Sequence, residues 1–296
     1  MKIAIIVGVS LAAIAAGASL GGMNIADQPG ASGGDGFTTG FRQHDTPEAL
    51  AAFSGAGQRA AVAIADGDDG ALDRLMAAAP DVVRAIGGPV DLLTFAMAHR
   101  NRDAFERLLD AGAPVDGADP AAGTYSTRTG TVEGGTYSPI YYSLELKDPW
   151  WFERLIAAGA DPDGIGRDGT FALERALLGE DRSRALALVA AGADVTRDVG
   201  AGNTYAHKAA IGNKFDVVEA LMAQGADMWR ASDIGATPAY LVANPTAVMV
   251  GDPGEVEPIR RRILTKLQAN APAWPPAPPE EVRARSKAGS DGTTLH

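Results

Sequence analysis

The 296-residue chain contains no cysteine. That absence excludes a disulfide framework, a thiol nucleophile, cysteine-ligated zinc and an acylated lipoprotein cysteine. Histidine is nearly as scarce, with four residues, and His44, His99 and His296 stand at no metal-ligand spacing with His207. No metal and no cofactor is therefore expected. Basic residues are also in short supply: 26 Lys+Arg against 37 Asp+Glu leave a net charge of −11, which argues against a nucleic-acid footprint and favours basic or neutral partners. What is abundant is apolar: 46% hydrophobic content suffices for a sizeable core.

The chain opens on "MKIAIIVGVSLAAIAAGASLGG", one lysine followed by an apolar run from Ile3 to Leu20 that ends in small residues. This is the layout of a secretory signal peptide or an N-terminal membrane anchor, both of which remain open for residues 1–22. Lys2 stays inside by the charge rule, so the remainder is expected on the far side: in a bacterium, periplasmic, secreted or tethered to the inner membrane. A Gly-rich linker over 23–46 separates this segment from the first periodic one at 47.

A fixed period dominates the rest. "LLDAGAPVD", "LIAAGADPD", "LVAAGADVT" and "LMAQGADMW" share one pattern, and their glycines Gly112, Gly159, Gly192 and Gly225 are 47, 33 and 33 residues apart. The first gap equals one period of 33 plus an insertion of 14. Gly169, Gly202 and Gly235 keep the same beat, each two residues before a helix-like segment: "FALERAL", "TYAHKAA" and "TPAYLVA". Stepping back gives "SPIYYSL" at 138, "DLLTFAM" at 91 and "QRAAVAI" at 58, six units in all. Within the unit 204–236, Ala206, Ala209 and Ala210 give a small-residue face, and Val217, Val218, Leu221 and Met222 an apolar stripe. No unit can bury its stripe alone, so neighbours must stack. Gly225 falls where a left-handed helix cap is needed.

These residues resemble the ankyrin repeat family over roughly 47–270, in the Thr-Pro opening at Thr237-Pro238, Ser138-Pro139, Thr204 with His207, and the four Gly-Ala endings. Asp91 and Phe171 depart from the opening threonine. The resemblance implies an all-α repeat solenoid, an ankyrin stack of about six 33-residue helix-turn-helix units with β-hairpin fingers. It also implies that His207 begins an inner helix and hydrogen-bonds backbone between repeats. Its concave face, built from finger tips and inner-helix ends, would bind another protein. Register then selects Tyr137, Glu145, Arg167, Asp168, Thr170, Asn203, Asp233 and Ile234, with His99 weaker.

The insertion lies within 117–138, a Gly/Thr/Tyr mix suited to a projecting β-hairpin, and adds Tyr125 and Arg128 to the contact candidates. Trp151 and Phe152 are read as packing residues. Three motif matches fail on context. The G-x-G-x-x-G at 164–169 follows a helix rather than a strand, the G-x-S-x-G at 30–34 lies in the linker, and the calcium-like Asp161/Asp163 pair is followed by Ile165. Ile259, Ile263, Leu264 and Leu267 read as a closing helix, and residues 271–296, with five prolines in eight residues, as a disordered Pro-rich tail.

The expected function is binding of a partner protein, without chemistry of its own, by a chain that is monomeric by itself and meets the membrane only through its N-terminus. Scaffold and immunity-type inhibitor of a toxin or envelope enzyme both fit. The alternative is an enzyme with a site formed around the inserted finger at 118–137.

Overall fold

Each inner helix starts where a residue with extended backbone stops the chain and turns it: Ser54, Asp91, Ser138, Phe171, Thr204 and Thr237. Asp91 and Thr237 fill the cap with their side chains, accepting the N–H of Thr94 at 2.7 Å and of Tyr240 at 3.1 Å. The computed structural model describes residues 53–87, 90–117, 124–127, 130–133, 138–166, 169–179, 182–245 and 253–291. The N-terminal apolar run and the linker lie outside them; among the described residues no helix is long and apolar enough to cross a membrane.

The described helices pair in six hairpins: α1 (Gly55–Asp66) with α2 (Asp69–Ala78), α3 (Leu92–Ala98) with α4 (Arg102–Asp110), α5 (Pro139–Ser143) with α6 (Trp150–Ala157), α7 (Ala172–Leu178) with α8 (Ser183–Ala190), α9 (Tyr205–Ile211) with α10 (Phe215–Ala223), and α11 (Pro238–Ala243) with α12 (Pro253–Ala269). Only the first departs from the expected register, its helix beginning at Gly55 rather than near residue 58. Inner helices pack on the next inner helix and outer on the next outer, α7 on α9 on α11 and α8 on α10 on α12. This is an all-α repeat solenoid of ankyrin type.

Small residues make the stacking possible. Ala206, Ala209 and Ala210 are buried on α9, as are Val217, Val218 and Leu221 on α10, so one continuous core runs through all six units. The turn after four of the outer helices, α4, α6, α8 and α10, uses a glycine with positive φ: 84° at Gly112, 82° at Gly159, 98° at Gly192 and 88° at Gly225. A methyl group at any of the four would touch nothing, so the constraint is backbone chirality alone. Gly225→Ala is therefore expected to cost about 1–2 kcal/mol in chemical denaturation, and a loss near zero would show that this turn relaxes.

The insertion contains an antiparallel hairpin, with Thr124–Thr127 paired to Gly130–Glu133 and Tyr125 opposite Val132. A shorter pairing, Ile86–Gly87 with Val90–Asp91, makes the first finger. In the closing helix Ile263 and Leu267 are buried as expected and Ile259 and Leu264 are half-buried, while Val256 joins the core beside them, the helix packing on α10 and α11. The segment after residue 270 does not follow the expectation of a disordered tail. Its prolines end at Pro279, which begins a helix, α13 (Pro279–Asp291). Proline at the first helical position costs no hydrogen bond, and Glu280 and Glu281 suit the positive end of the helix dipole.

Candidate partner-binding face

Three fingers close with the same turn, 33 residues apart. The N–H groups of Gly166, Val199 and Ser232 donate to the carbonyls of Thr170, Asn203 and Ala236 at 3.0, 2.7 and 2.8 Å. Carboxylates then tie each finger to the next. Asp116 accepts the Asp161 N–H at 2.6 Å, and both oxygens of Asp163 accept the Asp194 N–H at 3.1 Å. Burial pushes the Asp116 carboxyl above its ordinary range, partly opposed by that hydrogen bond. Arg230 donates to Asp198 at 2.7 Å, and Arg197 lies 4.1 Å over the Phe171 ring while pairing with Asp163 at 3.3 Å. The last finger is joined to its neighbour through backbone, Asp233 N–H to Ala201 carbonyl at 3.0 Å.

The inner-helix ends are cross-linked in the same way. Arg175 on α7 donates to Glu145 at 2.5 Å, and Lys208 on α9 to Glu174 at 2.7 Å. His207 lies between inner helix and finger: Nδ1 accepts the Thr204 N–H and Nε2–H donates to the Ala236 carbonyl, both at 3.0 Å. The tautomer follows from these two partners. Burial holds the imidazole below its ordinary pKa.

The ten contact candidates separate into three groups. Arg128, Tyr137, Arg167 and Asp168 lie outside the described residues, and of Tyr125 only its place in the hairpin strand is described. Glu145, Thr170 and Asn203 serve the scaffold: the Glu145 side chain is 8% exposed in its ion pair, Thr170 supplies a turn carbonyl, and the Asn203 amide donates to the Gly200 carbonyl at 2.9 Å. Asp233 and Ile234 are exposed together at a finger tip. His99 stacks on Phe95 with ring centroids 4.4 Å apart.

Sequence reasoning overlooked Glu174, Arg175, Arg197, Lys208 and Arg230, which make the cross-unit pairs. Opposite charges near one period apart carry the signal: 34 residues separate Lys208 from Glu174, and 32 separate Arg230 from Asp198. The G-x-G-x-x-G string has a packing origin. A methyl group on Gly164 would overlap Ser138 and Ile140, one on Gly166 would overlap the Tyr141 ring, and Gly169 has φ 72°.

No protein-family model matches this chain, and no curated protein matches it. Among solved structures, an ankyrin repeat domain from Acinetobacter baumannii AYE aligns at 22% identity over 70% of this chain and 96% of that one, with a TM-score of 0.49. The ankyrin repeat domain of Bcl-3, described as a unique member of the IkappaB protein family, aligns at 18% identity over 70% of this chain and 85% of its own, with a TM-score of 0.46. The repeat assignment rests on the register of caps, turns and finger bonds above, independently of these alignments.

Proposed function

We propose that this ankyrin-type stack works by binding another protein through its finger tips, inner-helix ends and inserted hairpin. The observation that carries the reading is the pair Asp233–Ile234: Ile234 is 44% exposed on a turn whose backbone is held by hydrogen bonds within its own finger and to the preceding one. An exposed apolar side chain beside a carboxylate on a pinned backbone loses little freedom when a partner covers it. The charge of −11 favours a basic or neutral partner, and the N-terminal apolar run supports export as an envelope scaffold or immunity-type inhibitor.

Tagged full-length protein incubated with envelope extract is expected to recover a stoichiometric partner, whose affinity is then measured by calorimetry with the purified pair. Asp233→Ala combined with Ile234→Ala is expected to weaken binding about tenfold or more. Deletion of 118–137 separates the hairpin's share from that of the tips. Failure to recover a partner, or undiminished affinity in the double variant, counts against the reading. Inhibition assays on the recovered partner then distinguish scaffold from inhibitor.

A further inference from the structure

Gly235, at the last finger, has φ 79° and is buried, and what buries it is the chain's own C-terminal segment. A methyl group there would overlap the Pro279 carbonyl oxygen and come within 2.8 Å of Arg283 Cγ. One period earlier, the same methyl on Gly202 would meet the next finger instead, 2.9 Å from Asp233 Oδ1 and 3.1 Å from Ser232 Cα. The first turn of α13 thus stands where a sixth finger would stand, on the open edge of the stack and next to Asp233 and Ile234.

Through Lys287 it is held along one edge. Pro276 is buried and Val282 half-buried, whereas Glu281, Arg283, Ala284, Arg285, Ser286 and Lys287 are exposed. Through Lys287 the helix hides little apolar surface and so gains little from docking, and at 13 residues it is marginal by itself. Its charges balance, Glu280, Glu281 and Asp291 against Arg283, Arg285 and Lys287, with Arg285 paired to Glu281 within the helix, so the contact with the finger at Gly235 is made by the Pro279 backbone and the Arg283 stem.

We propose that residues 276–291 are the resident, displaceable ligand of the last finger, and that the finger accepts a proline-led helix. In this arrangement a partner presenting such a helix competes with α13, so the segment sets the affinity of the face. The regulatory part rests on the partner-binding reading above; the docking part does not.

The probe is a fluorescein-labelled peptide of residues 276–291, titrated by anisotropy into full-length protein. In wild type the cis helix holds the site at high effective concentration and the peptide binds weakly. Ala284→Pro breaks α13 in its interior without touching the repeats, and is expected to tighten peptide binding about tenfold or more. Adding Gly235→Ala should abolish that gain, because the methyl overlaps the Pro279 carbonyl. Adding Gly225→Ala, which strains a positive φ but obstructs nothing, should leave it intact. Equal peptide affinity in wild type and Ala284→Pro, a gain that survives Gly235→Ala, or self-association of Ala284→Pro would each overturn the proposal. None of these readings requires a partner from the envelope, so a failed recovery there is distinguishable from failure here.

Discussion

Trp151→Ala is expected to lower stability by about 3–5 kcal/mol and to split a single unfolding transition into two. Trp151 is 2% exposed and meets Phe105 of the preceding unit edge-to-face with centroids 5.4 Å apart. Units two and three are joined in sequence through the inserted hairpin, so their cohesion falls on the helices. Around Trp151 the junction is completed by Arg154, which donates to both Glu106 oxygens at 2.7 and 2.9 Å, and by Arg102, which pairs with Asp148 and lies 4.5 Å over Trp150. In a linear stack each unit is stabilised only by its neighbours, so a weakened junction uncouples both sides. Trp150→Ala, at a half-buried position, is the milder comparison. Urea unfolding followed by circular dichroism checks this: one cooperative transition with a loss below about 1 kcal/mol would show that the junction does not depend on Trp151.

The second large effect is expected at His207. Replacement by alanine leaves the Thr204 N–H and the Ala236 carbonyl without their partners in a fully buried setting, at about 1–3 kcal/mol each. The pH dependence follows from the same geometry. Burial lowers the folded-state pKa below the ordinary 6.5, so the neutral ring is the stabilising form. Its contribution is complete above 6.5 and is lost as pH falls from there through the folded-state value. Wild type should therefore lose stability on acidification through this window, and His207→Ala should be lower at neutral pH but lack that component. Parallel pH profiles for the two proteins would rule out the role.

Recurrence made the scaffold legible. Thr204, Thr237 and Asp91 announce helix starts because a short polar side chain caps a helix wherever it stands, and Gly112, Gly159, Gly192 and Gly225 announce turns because only glycine takes positive φ without strain. Trp151 and Phe152 are buried as their aromatic size suggests, and His207 takes the place that the resemblance to ankyrin repeats implies. The face was less legible. Glu145, Thr170 and Asn203 look like free polar residues in the string, yet each is engaged by a group that repeat stacking brings to it.

The C-terminal segment shows the same division. Proline content alone suggests an extended chain, but Pro279 followed by two glutamates is equally a helix start, and composition cannot weigh the two.

By itself the sequence determined the period, the number of units and the chirality of their turns, because each depends on neighbours within a few residues or on repetition of the same unit; the histidine that locks inner helix to finger followed from the resemblance to ankyrin repeats. Only the tertiary structure decided which charges cancel across units and which finger tip stays exposed, and it alone brought Pro279 onto Gly235, 44 positions away in the chain. Such contacts depend on how separate segments meet in space, which no local pattern of residues encodes.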